Sequence, residues 1–92
     1  MRIALTERFQ RDAGRLSGEQ REALFNALLA LPGAIGQPHL HQGLGLRKLH
    51  PSGIWEARAG LGLRLVFTIE SDQLTLVRAG THEDVRRYLR EV

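Results

Sequence analysis

Cysteine is absent from this 92-residue chain. That excludes disulfides, zinc–thiolate sites and thiol nucleophiles. It fits a reducing compartment, and the expected location is the cytoplasm. Lysine is almost absent as well: Lys48 is the only one, so arginine carries nearly all the positive charge. The planar arginine fork suits bidentate contact with carboxylate or phosphate. No apolar run approaches the ~20 residues of a membrane span, and no membrane partner is expected. The opening MRIALTERF is too polar for a secretory signal. There are no repeats, linkers or low-complexity tracts, so residues 1–92 are expected to form one small domain.

What is present is ordinary in amount and uneven in sign. Apolar residues make up 42% and charged residues 25%, as in a globular domain. The formal net charge of +3 suits a polyanion or an acidic protein partner.

Arg2–Leu5 reads as a short strand with Ile3 and Leu5 on one face. Thr6 is placed to cap a helix whose apolar face is Phe9, Ala13 and Leu16. Gly14 predicts a break before Ser17. Ser17 and Gln20 match a capping box, and Leu24, Ala27, Leu28 and Leu31 follow at helical spacing. Pro32-Gly33 is expected to end that second helix. Gly33–Gly45 reads as loop, and Leu44–Leu49 as a lead into the sheet. His39 and His41 have a metal-like spacing, but two histidines alone leave a metal under-coordinated, so no metal is expected. The glycines lack the GxGxxG spacing of a phosphate loop.

The stretch Gly53–His82 dominates the pattern. Ile54–Ala59, Leu63–Glu70 and Leu74–Ala79 read as consecutive strands. In the middle one Leu63, Leu65, Phe67 and Ile69 point one way and Arg64, Val66, Thr68 and Glu70 the other. Pairing Ala59 with Leu63 across Gly60-Leu61-Gly62 puts Arg58 directly opposite Arg64, and Glu56 opposite Val66. Like charges so placed are destabilising. Either both guanidiniums are solvated and offset by Glu56, or they form an anion receptor for which phosphate is the natural ligand. After the third strand Thr81 can cap a terminal helix, with Glu83 and Asp84 in its first turn and Arg86, Arg87 and Arg90 towards its end. Val85, Tyr88 and Leu89 form its apolar edge. The predicted order is β-α-α-β-β-β-α, an α+β fold.

Leu46-Arg47-Lys48-Leu49, then GIWEARAG, LRLVF and LVRAGTH with a short basic helix behind them, resembles the RelE/ParE toxin superfamily of bacterial toxin–antitoxin systems. The resemblance spans nearly the whole chain. It implies a curved, mainly antiparallel sheet with the N-terminal helix pair on one face and a concave basic face on the other. RelE-like members are ribosome-dependent endoribonucleases that cut mRNA without a metal or cofactor. ParE-like members share the fold and poison DNA gyrase. Both kinds are neutralised by an antitoxin, through which any contact with DNA would be made.

The resemblance also implies roles. Arg64 matches a shared basic residue expected to hold the scissile phosphate. Arg58 matches a basic position of active members. Glu56 stands where RelE has a lysine, and its expected catalytic role is to orient an arginine or to serve as an alternative base. His82 matches a histidine of YafQ-like toxins and is expected to act as general acid or base. Tyr88 follows at the spacing of a functional tyrosine in RelE, although GTH-type members place an aromatic where Arg86 stands here, and core packing is the competing reading. Arg47, Lys48, His50, Arg78 and Arg86 are expected to contact RNA or ribosome. His41 and His50 lie near where some members place an upstream histidine. Two other readings stay open: a ParE-like toxin that binds gyrase without hydrolysis, and a plain interaction module for an acidic partner.

Overall fold

The computed structural model describes residues 1–37, 42–60 and 62–92. The expected histidine pair, His39 and His41, lies outside them. The described residues form a five-stranded sheet in the order β1-β5-β4-β3-β2. Its strands are β1 (Arg2–Leu5), β2 (Arg47–His50), β3 (Ile54–Arg58), β4 (Arg64–Glu70) and β5 (Gln73–Gly80). β1 runs parallel to β5 and every other pairing is antiparallel. The helices are α1 (Glu7–Gly14), α2 (Gly18–Gly36) and α3 (His82–Arg90). The α+β class stands, with one strand more than the sequence predicted.

That strand is β2. RKLH has no apolar–polar alternation, and its register slips between Lys48 and His50, so period two could not reveal it. It forms because β3 offers an open edge whose backbone groups need partners.

The helix starts follow the caps. Thr6 accepts from the Phe9 N–H and donates to the carbonyls of Leu76 and Val77, tying the start of α1 to β5. Ser17 and Gln20 close a reciprocal capping box on α2. The end of α2 differs from expectation: Pro32 lies inside the helix, which continues to Gly36, and the Gln37 N–H closes on the Gly33 carbonyl. An interior proline costs about 3 kcal/mol. Leu31 and Ala34 flank it and are fully buried, and burial of one leucine alone returns ~1.5–3 kcal/mol. The core face therefore carries the helix past its breaker.

Period two splits the strands between two layers. Leu63, Leu65, Phe67, Leu74 and Leu76 pack beneath α1 and α2 with Phe9, Leu24, Leu28 and Leu31. On the opposite face Ile54 and Val66 meet Val85 of α3, with Leu49, Val77, Tyr88 and Leu89 around them. The second layer is small, and the polar residues of β3, β4 and β5 share its face. No described helix is long and apolar enough to cross a membrane.

Candidate active site

The β3–β4 hairpin has the predicted register. The Ala59 N–H donates to the Leu63 carbonyl at 3.0 Å, and Arg58 pairs with Arg64. Gly60 and Gly62 have φ of 69° and 83°, in the left-handed region where a side chain would strain the turn. On the far side of β4, Arg64 pairs with Gly80. One row therefore runs Arg58–Arg64–Gly80, and the chain leaves it directly through Thr81 into His82, the first residue of α3.

Neither arginine of this row has a carboxylate partner among the described residues. Arg64 is half-buried and donates one Nη1 bond to the Leu63 carbonyl at 3.2 Å. Arg58 is exposed and lies over the backbone of Gly45, whose φ is +54°. A Cβ on Gly45 would come within 2.8 Å of Arg58 Nε, so that glycine gives the arginine its seat. His82 is exposed, and its ring makes no hydrogen bond with the described residues. Two unneutralised guanidiniums side by side can hold an anion, and the chain leads two residues past Gly80 to an exposed imidazole, the side-chain type suited to proton exchange.

The next row on the same face runs Arg47–Glu56–Val66–Arg78. Here Glu56 does not offset Arg58 and Arg64. It is only 6% exposed, and its ion pair is with Arg47 Nη2 at 3.5 Å across the β2–β3 ladder. Its Oε2 is buried with no partner among the described residues. Arg78, at 18% side-chain exposure, donates through Nε to Asp12 Oδ2 at 2.7 Å. Its guanidinium lies 5.9 Å from the centre of the Tyr88 ring, within cation–π range. Tyr88 itself packs against the Ile54–Val66–Val85 cluster.

The remaining basic residues scatter. Lys48 pairs with Trp55 and so belongs to the other side of the ladder from Arg47. His50 Nδ1 accepts from the Ser52 N–H at 3.1 Å, which leaves the ring proton on Nε2 in the neutral form. Arg86 meets Glu83 at 3.7 Å on an exposed helix face, an arrangement of little energetic consequence.

Asp12 was not singled out in the sequence, although it holds this end of the sheet together. It is 6% exposed, and its Oδ2 also accepts the Ala79 N–H at 3.0 Å. That amide lies beyond the last β1–β5 pair, Leu5 with Leu76, so Asp12 substitutes for the missing strand. The available signal was an acid three residues after Phe9, on the apolar face of α1. At the start of α3, Thr81 and Asp84 cap each other reciprocally. The Thr81 backbone N–H bonded to Asp84 holds its carboxyl below the ordinary value; the Thr81 hydroxyl and the charges of Arg87 and Arg78 add to this, and burial opposes it.

No family model and no curated protein matches the sequence. Solved structures do. A copper-bound mutant toxin from Helicobacter pylori aligns over 92% of this chain and 98% of its own at TM-score 0.75 and 24% identity. YafQ from Escherichia coli aligns over the same shares at TM-score 0.66 and 21% identity. The RelB–RelE antitoxin–toxin complex of Methanococcus jannaschii contains a chain aligning at TM-score 0.66 and 15% identity, over 92% and 96%. The chain has the RelE/ParE toxin fold. It reproduces that fold with little shared sequence, so the site must be argued from its own residues.

Proposed function

We propose that this chain is the toxin of a toxin–antitoxin pair and acts as a ribosome-dependent mRNA endoribonuclease. The observation that carries the reading is the Arg58–Arg64 pair. It is held in register by a glycine hairpin, left without a carboxylate among the described residues, and followed along the chain by an exposed histidine. A stable sheet has no use for that arrangement, whereas a phosphodiester does.

In this reading Arg58 and Arg64 bind the scissile phosphate and stabilise the extra charge of the phosphorane. The ribose 2′-oxygen attacks phosphorus, its proton is lost, the 2′-O–P bond forms and the P–O5′ bond breaks. The leaving 5′-oxygen takes up a proton. His82 is the group suited to one of these transfers. The products are a 2′,3′-cyclic phosphate and a 5′-hydroxyl, and no metal enters a step. Glu56 is too buried for an open base and positions Arg47. Tyr88 supports α3 and Arg78 from within the packing. Such an enzyme would work in the cytoplasm on ribosome-bound mRNA, and an antitoxin covering the basic face would silence it.

The test is cleavage of mRNA on programmed ribosomes by wild type, His82→Ala and Arg64→Ala. Loss of ~10²–10⁴-fold is expected for removal of the proton-transfer group. Full cleavage by both variants would overturn the site assignment. Intact mRNA together with inhibited gyrase supercoiling would replace this reading with the ParE-like one.

A further inference from the structure

We propose that the cleft between α1 and the start of α3 is a second anion site, and that its ligand is the neighbouring phosphodiester of a single-stranded RNA held at Arg58 and Arg64. The proposal rests on the RNA-cleaving reading above. The cleft has a volume of 230 Å³ and is lined by four arginines against two aspartates. Arg78 and Asp12 form its buried part; Arg8, Arg15 and Arg87 are its exposed cations.

The hydrogen-bond inventory points to an anion. The aspartate oxygens are largely committed inside the protein. Asp12 Oδ2 takes Arg78 Nε and the Ala79 N–H. Asp84 Oδ2 takes the Thr81 N–H and hydroxyl, and Oδ1 takes Arg87 at 3.3 Å. The donors are left over. Each guanidinium has five N–H groups. Arg15 has no side-chain partner among the described residues, and Arg8 comes no closer than 3.8 Å to Asp12. Four guanidiniums face two carboxylates here, and of the carboxylate oxygens only Asp12 Oδ1 is left without a hydrogen bond among the described residues, so the surplus of free donors favours a negative ligand.

Position selects a phosphodiester over a protein carboxylate. Gly80 lines the cleft and is also the register partner of Arg64. Leu63 lines it too, and its carbonyl holds Arg64. Adjacent strands lie about 4.8 Å apart, so the cleft opens one strand beyond Arg64. Gly80 carries no side chain, and the Asp84 carboxylate takes that space: a Cβ there would meet its Oδ2 at 2.7 Å, so a ligand reaching both sites passes an acid already bonded to Thr81 and Arg87. A polymer with an anion on each unit can occupy both sites at once.

The test uses non-cleavable 2′-O-methyl RNA, as a dinucleotide and a pentanucleotide, with affinity followed against salt by fluorescence anisotropy. The proteins are wild type, Arg15→Ala, Arg15→Glu and Arg15→Lys, each checked for folding by circular dichroism. Arg15→Ala is expected to weaken pentanucleotide binding and to reduce its log–log salt slope by about 0.7, the single-strand value for one phosphate. The dinucleotide should barely respond, Arg15→Glu should weaken binding further, and Arg15→Lys should restore the slope. An unchanged slope in Arg15→Ala and Arg15→Glu overturns the proposal, as does absence of oligonucleotide binding by the wild type. A labelled polyglutamate peptide is the second probe: if Arg15→Ala loses it while oligonucleotide binding is unaffected, the proposal is overturned in favour of an acidic protein. The probe cannot be cut, so the two readings fail separately. An altered slope with no ribosomal cleavage sinks the nuclease reading alone; cleavage with an unaltered slope sinks the second site alone.

Discussion

Two neighbouring rows cross the same sheet face with similar residues and opposite electrostatic states. In the Arg47–Glu56–Val66–Arg78 row each arginine meets a carboxylate, Glu56 for Arg47 and Asp12 for Arg78. In the Arg58–Arg64–Gly80 row neither arginine meets one among the described residues. The difference separates charge neutralised within the protein from charge available to a ligand. A cation as shielded from water as Arg78 needs a partner, whereas cations waiting for an anion must be left without one. Net charge alone could not have separated the two rows.

The sharpest way to break the comparison is to remove Asp12. Asp12→Ala strips Arg78 of its partner and leaves the Ala79 amide unpaired. Breaking a buried pair from one side costs about 3–5 kcal/mol, and a chain of this size loses ~4–8 °C in melting temperature per kcal/mol. Urea unfolding should show this loss; a change under about 1 kcal/mol would refute the structural role given to the pair. The counterpart in the other row is Arg64→Ala. Its stability should stay within about 0.5 kcal/mol of wild type. Its cleavage on ribosomes should fall by ~10²–10³-fold if the guanidinium stabilises transition-state charge.

These two sites were not equally legible. The Arg58–Arg64 contact could be read because Gly60 and Gly62 fix a short turn and strict alternation fixes the register on either side. Asp12 and Arg78 are 66 residues apart, and no local period links them. Arg47 and Glu56 meet only once β2 is known to be a strand, and RKLH carries no strand signal of its own. The seat of Arg58 on Gly45 lies beyond local rules for the same reason. Pro32 misled in the other direction: a local breaker was outweighed by burial of Leu31 and Ala34 on the core side. Turns and periods thus exposed the open row, while the neutralised row depends on long-range packing.

Glu56 gives a smaller and opposite effect. Its partner Arg47 is exposed and can be solvated once released, and Oε2 has no partner to lose. Glu56→Leu should therefore be neutral or stabilising by about 1 kcal/mol, the lower end for replacing a buried pair with an apolar side chain. If Glu56 positions Arg47 for RNA, cleavage should nevertheless fall, and that fall should vanish in an Arg47→Ala background. A destabilised Glu56→Leu protein would place the carboxylate among the fold-holding charges with Asp12.

Asp84 tests how charge is kept off the open row, and its effect is the smallest. It lies against Gly80, the third member of that row, but its oxygens are turned to Thr81 and Arg87. The Thr81 backbone N–H, foremost among the causes, lowers its pKa in the folded chain. A carboxyl depressed by folding contributes stability above its unfolded pKa and loses it as pH falls through the lower folded value. With 39% of the side chain exposed, solvent screening keeps the contribution small. Asp84→Asn keeps the shape and removes the charge. Its melting temperature should lie slightly below wild type at neutral pH, and the gap should close as the pH falls through the acidic range where Asp84 protonates. A gap that persists unchanged into acid would mean that shape rather than charge holds the start of α3, and that the open row needs no shielding from this carboxylate.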